Sequence, residues 1–255
     1  MTLRQLGATR YVLPLREGGS LPAIVDTDGP GQYVVKFRGA GQGPKALVVE
    51  AIAAGLAGVL GLPVPDPAVI DVAKGFGMGE PDAEIQDLLK WSIGRNFGLR
   101  YLSGALGFDP VADRALVDTE LAAAIVWFDA LITNVDRTAR NPNILVWNGG
   151  VWLIDHGASL YFHHSSGDWQ ARNADRFPLI KDHILLGFAG DIRSADERLR
   201  PLLTEEALRA VIDEVPAEWL GEESNGEKGS YVSYLVDRLG GKRPWVEEAE
   251  SARRG

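Results

Sequence analysis

The stretch from Leu121 to Gly157 constrains the fold of this chain more than any other. Leu121 to Ile132 is apolar nearly all round, with Asp129 as its one charge, which predicts a helix buried in a sizeable core. That helix runs into a polar loop carrying Asp136 and, five places on, Asn141. Two runs rich in β-branched and aromatic residues follow, Ile144–Trp147 and Val151–Ile154, with Asn148-Gly149-Gly150 as the turn between them. The second run stops at Asp155, just before His156 and Gly157.

A hairpin folded back on itself returns Asp155 to the loop, so three oxygen-bearing side chains, Asp136, Asn141 and Asp155, converge. This grouping suits phosphoryl transfer, which needs a carboxylate to orient or deprotonate a hydroxyl, and a carboxylate and an amide to hold magnesium against phosphates. Asp136 takes the first role; Asn141 and Asp155 are the metal ligands. Asn143, directly before the strand, competes with Asn141 for the amide position, and the five-residue spacing ranks Asn141 first. Alone, an Asp-x4-Asn spacing is also an ordinary solvated turn. The hairpin and the Asp-His-Gly ending turn it into a signal.

DRTARN, PNILV and WLIDHG resemble the catalytic and metal-binding loops of HipA-like kinases, a branch of the protein-kinase-like fold. The Asp-Arg opening is also similar to phosphatidylinositol kinases of that superfamily. The resemblance implies a two-lobed α+β fold. Residues 1–102 form a small nucleotide-binding lobe built on an antiparallel sheet, and residues 103–255 form a mainly helical lobe. It also implies ATP and Mg²⁺ as cofactors and a protein serine or threonine as acceptor. A small-molecule or lipid kinase, or a nucleotide-binding pseudokinase acting as an interaction module, shares the same residues. Thr138 stands where a histidine often sits in relatives, which bears on substrate positioning. The chain is shorter than full-length toxin members of the family, which argues against a toxin role and a DNA-binding antitoxin partner.

The N-terminal third supplies the remaining parts. Arg10–Arg16, Leu21–Asp26 and Gln32–Arg38 read as strands, and the turn holding Gly18, Gly19 and Ser20 permits close backbone approach. The resemblance makes that turn a phosphate cover, with Ser20 where relatives carry a silencing autophosphorylation. Lys36 sits within YVVKF, and Glu50 is the only charge of a predicted helix from Ala46 to Leu60. A lone glutamate in such apolar surroundings needs a partner, and Lys36 is the obvious one. A strand lysine paired with a glutamate of the next helix is how kinases hold the α- and β-phosphates. Ala68–Val72 reads as a strand, Ala83–Arg95 as an amphipathic helix treated as an insertion, and Phe97–Leu102 as a strand. On the resemblance, Arg100 to Ser103 is the hinge, with Arg100 and Leu102 offering backbone to adenine.

A net charge of −9 argues against a broad nucleic-acid footprint and disfavours anionic membranes. The absence of cysteine removes disulfides and thiolate metal sites, in keeping with a reducing cytoplasm. No apolar run has the length of a signal peptide core or a membrane span, so a cytoplasmic protein is expected. The histidines, including the pair His163-His164, lack zinc spacing. The rest, from Leu179 to Leu239, reads as short helices completing the helical lobe, with 221–229 and the last few residues loosely ordered.

Overall fold

The computed structural model of the protein describes residues 3–15, 21–41, 43–164, 169–221 and 224–255. The glycine turn of Gly18, Gly19 and Ser20 lies outside the described residues, as does Ser165-Ser166-Gly167.

Five strands build the N-terminal part: β1 (Arg4–Pro14), β2 (Ala23–Thr27), β3 (Gln32–Lys36), β4 (Pro67–Val72) and β5 (Gly94–Arg100). They close into a barrel in the order β1-β2-β3-β5-β4. This corrects the expected antiparallel sheet, and the cause lies in β1. That strand begins at Arg4 rather than Arg10 and serves two partners. Residues Arg4–Gly7 pair in parallel with Ala68–Asp71 of β4, and the later half pairs antiparallel with β2. Register shifts between Ala8 and Arg10 and between Tyr11 and Leu13 bend the strand enough to close the circle.

The barrel interior holds Val25, Tyr33, Val35, Phe37, Ile70 and Val72, and Ile85, Leu88 and Leu89 of α2 (Ala83–Trp91) plug it. The segment expected to be an insertion is therefore part of the barrel core. Asp82 starts it as the N-cap, its Oδ1 accepting from Glu84 N at 3.0 Å. The helix ends at Trp91 because residues from Gly94 onward are drawn into β5.

Outside the barrel, α1 (Pro44–Val59) is buried along most of its length. Its Leu47, Ile52 and Leu56 share one cluster with Val69 and Phe97 of the barrel and with the helical half of the chain. Both halves are thus joined by a continuous core. In the helical half a short 3-10 turn at Arg114–Leu116 precedes α3 (Thr119–Leu131), whose N-cap Asp118 accepts from Leu121 N at 2.7 Å. The strands β6 (Leu106–Gly107), β7 (Ile144–Trp147) and β8 (Gly150–Leu153) form a second sheet in which β7 and β8 are the expected hairpin. Its turn carries Asn148 and Gly149 at φ of 49° and 75°, the left-handed pair that a tight hairpin needs.

The remaining helices are α4 (Ile192–Leu199), α5 (Glu205–Asp213), α6 (Ser224–Gly240) and α7 (Pro244–Arg254). The tail is not loose: buried Trp245, Val246 and Ala249 anchor α7, with the Trp245 ring 5.6 Å from that of Trp127 on α3. Likewise α6 begins at Ser224, inside the stretch expected to be irregular. No helix among the described residues is long and apolar enough to cross a membrane.

Candidate active site

The pairing of β3 with β5, and of both with the α1 layer, brings Lys36 at the end of β3 against Glu50, which is fully buried in α1. Lys36 Nζ bonds Glu50 Oε1 and also Asp155 Oδ1, the latter at 2.6 Å. Glu50 has a second task, since its Oε2 accepts from the backbone N–H of His156 at 3.1 Å. One glutamate therefore ties the barrel lysine to the residue that follows the end of the hairpin.

Electrostatics follow from burial and proximity. Burial opposes the charge of Lys36, but Glu50 and Asp155 outweigh it and hold the ammonium above the ordinary lysine value. Burial pushes the Glu50 carboxyl up against the pull of Lys36. For Asp155 burial acts in the same sense, yet the charge and hydrogen bond of Lys36 win and the carboxyl sits below its usual range. The Asp155 side chain is still 46% exposed, so its other oxygen faces solvent. His156 is buried with neither ring nitrogen hydrogen-bonded among the described residues, and burial lowers its pKa to about 3, so the ring is neutral. It stands edge-on to Phe128 at 6.0 Å.

The loop carrying Asp136 is built on a buried charge cluster. Asp129, wholly buried on α3, accepts from Asn134 Nδ2 at 2.9 Å, Arg137 Nε at 2.6 Å and His183 Nε2 at 2.9 Å. Arg137, itself buried, also donates Nη1 to the carbonyl of Asn143 and, at 3.4 Å, to that of Ile154, tying the loop to both strands of the hairpin. Asn134 Oδ1 accepts from Asp136 N at 3.1 Å. Asp129, Asn134 and Arg137 together brace the loop that carries Asp136.

At the centre, Asp136 Oδ2 accepts from Asn141 Nδ2 at 2.7 Å and from Asn143 Nδ2 at 3.4 Å. Asn143 Nδ2 also reaches the carbonyl of Asp155 at 3.4 Å. Lys36, Glu50, Asp155, Asn143, Asp136 and Asn141 thus form one connected polar group. Two of its members carry backbone strain: Asn143 and Asp155 have φ of 49° and 54°, in the left-handed region. Arg100 and Leu102 are not in this group. The Arg100 guanidinium lies 3.5 Å from Asp66, and Leu102 is buried with its carbonyl accepting from Ala105 N at 3.0 Å. Gly18, Gly19 and Ser20 fall outside the described residues.

Three supporting contacts were not foreseen from the sequence. His183 reaches Asp129 from 54 residues away. Lys45, at the start of α1, donates to the carbonyl of His163 at 3.2 Å. Arg238 of α6 donates Nε to the Leu131 carbonyl at 2.8 Å and Nη2 to that of Ala130 at 2.9 Å, closing the C-terminal end of α3 just before the loop. Nothing in the local sequence marks His183 or Arg238 for these tasks. Arg238 lies in a helix whose register alone decides whether it points inward.

The family model described as HipA-like kinase matches residues 12–238 of the chain. Among solved structures, that of a Helicobacter pylori proinflammatory kinase, CtkA, superposes with a TM-score of 0.60 at 13% identity, covering 98% of this chain and 98% of that one. At that identity the likeness is one of fold. No curated protein sequence matches the chain significantly.

Proposed function

This chain belongs to the HipA-like kinase family, and from that premise we propose that it is an ATP- and Mg²⁺-dependent phosphotransferase that phosphorylates a serine or threonine of a protein. The observation that carries the proposal is the connected group from Lys36 to Asp136. The barrel lysine is already charged and aimed by Glu50 and Asp155, and Asp155 is linked through Asn143 to a half-exposed carboxylate at Asp136.

In this reading the lobe of residues 1–102 and that of residues 103–255 enclose the nucleotide. Lys36 neutralises charge on the α- and β-phosphates, and Glu50 keeps it from pairing wholly with Asp155. Gly18, Gly19 and Ser20 cover the phosphates, and the backbone at Arg100 and Leu102 meets adenine. The donor set fits a hard cation: Asn141 spends its Nδ2 on Asp136, leaving the amide oxygen, and Asp155 keeps one oxygen toward solvent. Bound there, Mg²⁺ would offset the charge that builds on the transferring phosphoryl group. Asp136, held by the amides of Asn141 and Asn143, orients the acceptor hydroxyl and takes its proton. The chemistry is placement and charge neutralisation.

Incubation with γ-labelled ATP and Mg²⁺, wild type beside Asp136→Asn, tests this. Label should enter the protein itself or an added protein acceptor with wild type only. Equal labelling by the variant would remove Asp136 from its role, and label confined to small molecules would move the acceptor class.

A further inference from the structure

The catalytic loop carries one charged group that the proposed mechanism leaves unused. Arg140 lies between Asp136 and Asn141 in sequence, and it is exposed with no ion pair or hydrogen bond among the described residues. Its neighbours are committed elsewhere. Lys36 is bound by two carboxylates, Arg137 is buried on Asp129, and Lys45 is on the carbonyl of His163. Most described arginines have a carboxylate partner; Arg140 is the one on the catalytic loop that does not.

The groups assigned to the nucleotide phosphates, Lys36 and Asp155, stand at the end of β3 and just beyond the β7–β8 hairpin, bonded to each other. On its other flank the loop meets a different segment: Thr138 forms an antiparallel bridge with His183, and Ile184 N donates to the Arg137 carbonyl at 3.1 Å. Arg140 stands two residues beyond that bridge on one chain, and exposed Lys181 stands two residues before it on the other. Asp182, also exposed, follows Lys181 directly, while Arg140 and Asp136 lie either side of Thr138 on the loop. An acceptor approaching Asp136 over this face meets a free planar fork of N–H donors, the geometry that binds a carboxylate in bidentate fashion.

Resting on the kinase reading above, we propose that Arg140 determines acceptor specificity by binding an acidic side chain beside the phosphorylated serine or threonine, so that the preferred substrate is an acidic peptide segment. No charge changes on Arg140 during transfer; it fixes the peptide while Asp136 takes the hydroxyl proton and the γ-phosphoryl group passes from ATP to the hydroxyl oxygen, leaving ADP.

The test compares kcat/KM of the full chain, with Mg²⁺ and labelled ATP, on three serine peptides that differ only in flanking residues: glutamate, alanine or lysine. The same series is run with Arg140→Glu. Wild type should prefer the glutamate peptide over the lysine peptide by roughly tenfold or more, and Arg140→Glu should reverse the order. Equal use of the three peptides by wild type would overturn the proposal while leaving the kinase reading intact. So would a uniform loss on all three in Arg140→Glu, which would place the guanidinium on the γ-phosphate. Label on no peptide and on no protein would overturn the kinase reading and this proposal with it.

Discussion

Arg137 and Asp129 are eight residues apart, each side chain is wholly buried, and Nε of one meets Oδ2 of the other at 2.6 Å. A pair of opposite charges taken so completely out of water is a poor source of net stability, but it is costly to break from one side. What the pair secures is geometry. Through the carbonyls of Asn143 and Ile154, the same guanidinium fixes where the hairpin begins and ends relative to Asp136.

Arg137→Met should therefore destabilise the protein by about 3–5 kcal/mol, since it strands a buried carboxylate and releases the hairpin. Urea unfolding reads the loss. A change within about 1 kcal/mol would mean that His183 and Asn134 are enough to satisfy Asp129.

Acid should act through the same cluster. Burial alone would raise the Asp129 pKa, but Arg137 and His183 outweigh it and hold the carboxyl well below its usual range. A carboxylate depressed in the fold binds its proton first in the unfolded chain, so its stabilisation is present above about pH 4 and is lost as pH falls toward the folded value. The stability gap between wild type and Asp129→Asn should narrow steadily from about pH 5 to pH 2. A gap that stays constant with pH would contradict it.

Lys36 and Glu50 offer a separable case. Lys36→Met should reduce transfer by at least roughly a hundredfold and also lower Tm, because Glu50 is left buried with only the His156 N–H. Adding Glu50→Leu should recover Tm without recovering transfer. Recovery of both would show that the pair serves the fold alone.

The two asparagines should divide. Asn141→Ala, at an exposed position, should weaken Mg²⁺-dependent nucleotide binding and leave Tm nearly unchanged. Asn143→Ala loses the bonds to Asp136 and the Asp155 carbonyl at a left-handed backbone position, and should cost about 1–3 kcal/mol of stability. Calorimetry with and without Mg²⁺, beside thermal melts, assigns the roles; the reverse pattern would make Asn143 the ligand.

His156→Phe should stabilise the fold by about 1 kcal/mol or more, raising Tm by about 2–4 °C, because two ring nitrogens without a partner among the described residues disappear while contact with Phe128 is kept. A lower Tm would show that those nitrogens have partners in solution.

Much of the site was legible in the sequence because its charges stand alone among apolar neighbours. Glu50 and Asp129 each interrupt an apolar helix, and a charge that must be buried advertises that it has a partner. The hairpin declared itself by its turn residues. The closure of the barrel did not, because Arg4–Gly7 of β1 is half-buried or exposed and shows no clean alternation to read. The role of α2 was hidden for another reason. An amphipathic face shows that something is covered, without showing whether it is a sheet surface or the end of a barrel. His183 and Arg238 carry no signal at all, since their partners lie 54 and 107 residues away.

The grip of Arg238 on the last carbonyls of α3 also sets an order of events during synthesis. A nascent chain that has emerged as far as residue 200 already contains Lys36, Glu50, Asp136, Asn141 and Asp155, but not the side chain that closes α3 beneath them. A polypeptide that stalls or is cut before α6 carries every member of the candidate site without the clamp on the end of α3, so the support of that helix is completed only with the final fraction of the chain.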